Sequence, residues 1–470
     1  MKYLSLLLLN FSLAATADTQ VVIIGGGYEL SHSEGQIEEN VFWLENLLRP
    51  EVDRLDIFYG NGAAEQADVV YWDPDVNNTN RARNPVADVY LPPNDEYLRY
   101  RKHRITANMG STERSHLIPG LTAVIENQDY QDLLIIYNGH GAYRSFDYTQ
   151  NSLKLWNDSE INVREFRQLL NQAPATKNIR FVMTQCYSGG FFHLLNESEQ
   201  TADKTKHTRC GFMAESERRQ SEGCELGINK EDFRDYTTYF YAALSGQDRF
   251  GDDLASDPDI NQDGKVSFRE AHLYTLRTAV SSDLSRSTSE MFLEQWQPWH
   301  SRWLIDTSHH HSEYYKIALA VADNNAIDIK GNLGQQRGNL ETSFSALRKE
   351  KDSVYALIDN KQQQIQQRLE TLFPFLRNPY SSSFIAGIAN QQADIAKNIE
   401  GENYQQLVEL LNTYDQLLVN ELQLKRQIVQ VEKVRRLIKL AKLESSFQRL
   451  SSASDREAYA RILACEEGTL

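Results

Sequence analysis

The sequence predicts an α/β fold: a mostly parallel sheet covered by helices on both faces, followed by an α-helical C-terminal domain. Three observations carry that expectation. Short apolar runs alternate with amphipathic stretches from residue 20 to about residue 304. The runs are almost continuously apolar, as strands buried on both faces of a parallel sheet must be. After about residue 312 the strand-like runs stop and long stripes of helical period take over.

The segments VVIIGG (21–26), RLDIFYG (54–60), DLLIIYNG (132–139), IRFVMTQC (179–186) and TTYFYAALSG (237–246) read as strands. Each is short, rich in β-branched and aromatic residues, and ends at glycine or a small polar residue. IEENVFWLENLL (37–48) and VREFRQLLNQA (163–173) read as the helices between them. In such sheets, chemistry gathers at the carboxyl ends of the strands. Further on, Phe344, Leu347, Val354, Ile358 and Ile365 keep a helical stripe until Pro374. Leu410, Tyr414, Leu417, Leu424, Ile428, Val431 and Ile438 form a second stripe with partly coiled-coil spacing, interrupted by Glu421 and Arg435. This pattern suits a helical hairpin packed on itself or on the preceding domain, or a surface for self-association. The expected division is 1–17, 18–305 and 312–470.

The first segment has the parts of a secretory signal: Lys2, the apolar LSLLLLNFSLAA, and a small-x-small site at Ala15-Thr16-Ala17. It is too short to span a bilayer. The mature chain is therefore expected to be secreted or periplasmic, with no membrane span. The 470-residue chain carries a formal net charge of −16, which repels phosphate backbones and argues against nucleic acid as a partner. At 41% hydrophobic and 10% aromatic it has the material for a sizeable core, which excludes disorder of the whole chain.

Two strand ends carry reactive side chains. His140 follows DLLIIYNG, between Gly139 and Gly141, and Cys186 ends IRFVMTQC. One crossover containing the 163–173 helix separates them, so the strands are expected to be parallel neighbours with both tips on one edge. A thiol facing an imidazole suits acyl transfer, because the imidazole raises the thiolate fraction and later protonates the leaving amine. The backbone amides of Gly141 and Cys186 can approach a substrate carbonyl and bind its developing oxyanion.

YNGHGA and TQCYSGG resemble the His-Gly and Cys signatures of the caspase–legumain–gingipain clan of cysteine peptidases, with metacaspases and bacterial caspase-like proteins nearest in the motifs. The resemblance covers about 20–304. It implies a caspase-like three-layer α/β/α sandwich and a cysteine endopeptidase acting on peptide or protein substrates, with Cys186 as nucleophile, His140 as general acid and base, and Gly141 and Cys186 lining the oxyanion hole. One departure matters: Thr184 stands where metacaspases have an Asp that helps select basic side chains, so that preference does not carry over. The substrate pocket is expected from Glu29, His32 and Glu34 after the first strand, Thr184 and Gln185 before the nucleophile, and Ser245 to Asp248. Two other readings remain open: an inactive peptidase-like scaffold acting through its C-terminal helices, and a legumain-like enzyme cleaving or transpeptidating after Asn.

DINQDGKVSFRE (259–270) matches a calcium loop of the EF-hand type. Asp259, Asn261 and Asp263 stand at alternate positions, Gly264 makes the turn, Lys265 offers a carbonyl, Ser267 is at position nine, and Glu270 can bind bidentately. A structural or regulatory Ca²⁺ is expected there. Four cysteines allow three pairings, and the short polar segment between Cys210 and Cys224 favours that bridge in an oxidising compartment. It leaves Cys186 free and Cys465 to pair between chains. Weaker features have bland readings. VVIIGGGYEL has Leu30 where a dinucleotide fingerprint needs its third glycine. His309, His310 and His311 read as a polar loop, and the tryptophans of 295–303 as packing anchors.

Overall fold

The computed structural model describes residues 19–73, 83–144, 146–196, 208–296, 308–378 and 380–470. The expected signal at 1–17 and most of the tryptophan segment lie outside the described residues.

Seven strands make the central sheet: β1 (Thr19–Gly26), β2 (Arg54–Tyr59), β3 (Asn108–Gly110), β4 (Asp132–Gly139), β5 (Asn178–Met183), β6 (Thr208–Met213) and β7 (Arg286–Ser287). Their spatial order is β7-β6-β5-β4-β1-β2-β3, with β7 alone antiparallel. Side chains alternate across the sheet, as the two-residue pleat requires. Val22, Ile24, Ile135, Tyr137, Phe181 and Met183 point to a layer containing α2 (Arg114–Glu126) and α3 (Val163–Leu170). Val21, Ile23, Leu134, Ile136, Val182 and Phe212 point the other way. There they meet α1 (Gly35–Leu48), α4 (Tyr236–Ser245) and α5 (Phe268–Thr278). The result is a mostly parallel seven-stranded sheet between two helical layers.

The segment 237–246 is not a strand. It forms α4, because Tyr236, Phe240 and Ala243 recur at helical spacing and are fully or almost fully buried. Gly246, with φ of 75°, terminates the helix in the left-handed conformation that glycine favours. Aromatic and β-branched residues had disguised a helix buried around much of its circumference.

The C-terminal part contains α6 (Thr288–Gln295), α7 (Glu313–Asn324), α8 (Leu333–Leu372), α9 (Ser382–Ile399), α10 (Glu402–Leu450) and α11 (Ala453–Glu466). The two long helices, α8 and α10, pack on each other as a hairpin, with Ile358, Ile365, Leu407 and Leu411 buried at its far end. The near end of α10 packs Val434, Leu437, Leu440 and Phe447 against α5, α6 and α7. His309 to His311 form a helical turn rather than an irregular loop, with the His309 and His310 rings 4.1 Å apart. Trp296 packs on Phe447 at 4.9 Å, as an anchor should. No helix among the described residues is long and apolar enough to cross a membrane.

Candidate active site

The paired register of β4 and β5 positions the site. Asn178 pairs with Asp132 and Met183 with Tyr137. Beyond that last pair the chain bends at Gln185 and turns at Cys186. The Thr184 amide still donates to the Tyr137 carbonyl at 3.2 Å, so the strands remain together as they leave the sheet. The approach is tightest at Gly141: a Cβ there would lie 2.1 Å from the Cys186 carbonyl oxygen and 2.7 Å from Gln185 Cγ. Only glycine lets the two tips come this close.

His140 is oriented from both ends. Its carbonyl accepts from Tyr137 Oη at 2.8 Å and from the Lys154 amide at 2.9 Å. Its Nε2 lies 2.7 Å from Glu34 Oε2, and both side chains are largely buried. Glu34 is the residue immediately before α1, so the β1–α1 connection delivers a carboxylate to the β4 tip. With Nε2 engaged, Nδ1 is the nitrogen left for proton transfer. The Tyr28 ring meets the imidazole edge-on at 5.4 Å. Glu34 was named from the sequence only as a pocket residue; its contact with His140 makes it a positioning group.

Cys186 sits half-buried at the start of a tight turn in which Tyr187 adopts a left-handed φ of 61°. The turn is pinned by the segment 215–225. The Tyr187 amide donates to the Arg219 carbonyl at 2.8 Å, and Ser188 Oγ bridges the Glu215 backbone at 2.9 and 3.2 Å. Ser221 Oγ donates to the Thr184 carbonyl at 3.0 Å and lies 3.8 Å from Cys186 Sγ. Burial pushes the Cys186 thiol above its ordinary range, outweighing the Ser221 contacts. A raised value favours the neutral thiol over the thiolate.

The expected pocket residues divide into two groups. Thr184 is engaged with Tyr137, donating from Oγ1 at 2.9 Å. Gln185 is fully buried beside Gly141, and neither of its amide atoms finds a partner among the described residues. Glu29 holds His32 at 2.8 Å on the β1 side of the site. Ser245 and Asp248 make local contacts, while the next residue, Arg249, donates to Thr238 Oγ1 at 2.9 Å. Because 237–246 is helical, Ser245 lies about 12 Å along α4 from Thr237, whose hydroxyl accepts from Asn138 at the β4 end. Asp248 closes a local turn through the amides of Phe250 and Asp252.

Sequence reasoning missed an acidic group on the Cys186 side, made of Glu222, Glu225, Asp235 and Asp283. Asp283 accepts from the amides of Glu222 at 2.7 Å and Tyr236 at 3.2 Å. Burial, with Glu222 and Glu215 nearby, raises its carboxyl well above the ordinary range. These residues sit in connecting segments with no local pattern, so only tertiary structure reveals them.

The disulfide expectation is corrected. Cys210 pairs with Cys465, and Cys224 remains a thiol, as does Cys186. The cause is topological: Cys210 lies within β6, and α11 packs against that strand and carries Cys465 to it. Cys224 instead faces the Gly139 carbonyl at 3.9 Å.

In the segment 259–270, Gly264 turns with φ of 86°. Asp259 caps the amides of Gln262 and Gly264 at 2.7 and 2.9 Å, Asn261 caps Asp263 at 2.8 Å, and Asp263 caps Lys265 at 2.9 Å. Glu270 reaches across the loop to the amides of Ile260 and Asn261, and also caps Ser267. This oxygen set suits a hard cation such as calcium. Among the described residues no group of three or more His, Cys, Asp or Glu converges as a metal cluster; the oxygens are turned to backbone amides.

No protein-family description matches the chain, and no curated protein matches it. Among solved structures the chain is similar to protein GSU0716 from Geobacter sulfurreducens, at 10% identity and a TM-score of 0.32. The match covers 57% of this chain and 93% of that one. A likeness this distant carries no functional argument.

Proposed function

We propose that the chain is an exported cysteine endopeptidase of caspase-like architecture, with Cys186 as nucleophile, His140 as general acid and base, and Glu34 as the group that orients the imidazole. The observation that supports this reading is the close approach of Gly141 to Cys186, directly after a histidine held by a buried carboxylate. In the reaction, the Cys186 proton passes to His140 Nδ1 while sulfur attacks the scissile carbonyl carbon. The C–N bond then breaks, the amine leaves with the proton from the imidazolium, and a thioester remains. Water, deprotonated by His140, attacks that thioester and restores the thiol. The backbone at Gly141 and Cys186 suits stabilisation of the oxyanion.

A panel of fluorogenic peptides tests the reading. Wild-type protein should hydrolyse at least one class, and Cys186→Ala should abolish that turnover while circular dichroism stays unchanged. Full activity in the Cys186→Ala protein would exclude the assignment.

The same reading includes a bound Ca²⁺ in the segment 259–270, held by Asp259, Asn261, Asp263, the Lys265 carbonyl and Glu270. Such an ion would stabilise the start of α5, which packs on the sheet. Calorimetry should detect calcium binding that is lost in Asp263→Ala; absence of any binding heat would remove the ion from the proposal.

A further inference from the structure

The helix α10 runs past the strand tips along a polar seam. Arg426, Gln430 and Lys433 follow one another at four- and three-residue spacing, so they share one helix face. Arg426 makes two hydrogen bonds to Glu222 Oε1, at 3.0 Å from Nε and 2.7 Å from Nη2, and Glu222 is largely buried. The other Glu222 oxygen accepts from Ser281 Oγ and the Ser282 amide, both at 2.6 Å. Gln430 and Lys433 reach the Ala279 carbonyl at 3.3 and 2.9 Å. Arg219, whose carbonyl pins Tyr187, pairs with Glu432 on the same helix.

The Glu222 end of this seam lies next to the nucleophile. Glu222 follows Ser221, which touches Cys186 Sγ. The half-buried Lys425 carries its charge close enough to act on both Cys186 and the Glu225 carboxyl. The seam is thus made of ion pairs and long polar side chains. Further along, the same helix is seated by an apolar cluster with Leu437, Leu440 and Phe447, and the chain end is fixed by Cys210–Cys465. A polar seam beside an apolar, covalently fastened seat can open locally while the chain stays attached.

Resting on the peptidase reading, we infer that α10 is an internal strap beside the nucleophile: Arg426 is latched to Glu222, the residue after Ser221, and peptide substrates reach the thiol only when that latch opens. The regulator is a segment of this same chain, and the Cys210–Cys465 bridge retains the C-terminal end whenever the latch is released.

The test is the rate of Cys186 alkylation by iodoacetamide, with the modified residue mapped by peptide mass. In the full-length, disulfide-intact protein, Arg426→Ala should raise that rate by about tenfold, since it opens a largely buried pair. Arg426→Lys, which keeps a cation facing Glu222 and leaves the Glu222 contacts with Ser281 and Ser282 intact, should keep labelling slow, which distinguishes a latch from general loosening. An Arg426→Ala rate within twofold of wild type, in a protein that melts normally, would overturn the strap. Peptide hydrolysis keeps the two readings separate. Fast labelling without turnover upholds the strap and rejects the peptidase, whereas turnover in wild type with unchanged labelling does the reverse.

Discussion

The sheet and the α10 seam are both buried, yet opposite materials hold them. In the sheet, β1, β4 and β5 bury side chains toward helices on both faces, and nearly all are apolar. In the seam, Arg219, Glu222, Arg426, Lys433 and Arg436 meet partners of opposite charge or backbone carbonyls. Apolar burial is strong and indifferent to geometry in detail, whereas buried charge contributes little net stability and much directional preference. The comparison teaches that the strand tips are positioned by the first kind of contact and covered by the second. An apolar frame holds the strand tips, and α10 is held beside them by ion pairs and polar contacts.

Several substitutions sharpen this contrast. The largest loss should come from the frame. Phe181 is fully buried and so closely packed that a Cβ on Gly211 would lie 2.2 Å from its ring. Phe181→Ala is expected to cost about 4 kcal/mol in urea unfolding. Next comes Arg436, which pairs with Glu290 at 2.9 Å and Glu294 at 3.1 Å. Arg436→Ala removes the guanidinium shared by both buried carboxylates, leaving Glu290 with His272 and Glu294 with Arg286, and should cost about 3 kcal/mol at neutral pH.

Acid titration refines that second prediction. Burial alone would raise Glu290, but Arg436 and His272 overcome it and hold the carboxyl at about 2, below its ordinary 4.5. A folded-state value below the unfolded one contributes stability above pH 4.5 that fades as pH falls toward 2. The difference between wild type and Arg436→Ala should therefore shrink through that window.

Lys433 should show a smaller effect of the same pH sense, in a higher window. Burial brings its amine down to about 8 from 10.5, so the folded state disfavours the charge. Lys433→Met is expected to change stability by no more than about 1 kcal/mol at pH 7. The wild type should gain on this variant between pH 8 and 10.5, where the unfolded chain binds the extra proton. A large loss at pH 7 would mean that the seam stabilises as strongly as the frame.

How much of this was legible in the sequence follows from the same distinction. Continuous apolar runs revealed β1, β2, β4 and β5, because a strand buried on both faces needs them wherever it lies. The glycines around His140 and the small residues after Cys186 marked two tips, and right-handed crossover geometry made them neighbours. The segment 237–246 misled, since Tyr, Phe and Thr suit strands on the surface of a sheet, while its burial in α4 depends on partners elsewhere. Cys465 was illegible as the partner of Cys210, because nothing local says that α11 returns to β6. Glu222, Asp283 and Arg426 were equally hidden. A buried ion pair leaves no period in either of the segments that form it.

The central claim, that Cys186 is a nucleophile served by His140, is tested most directly by trapping. A peptidyl reagent with an electrophilic carbonyl, applied to the full-length protein, should leave one adduct, at Cys186. The His140→Ala protein should form that adduct at least about a hundredfold more slowly. An adduct at Cys224, or labelling at Cys186 that is indifferent to His140, would contradict the account.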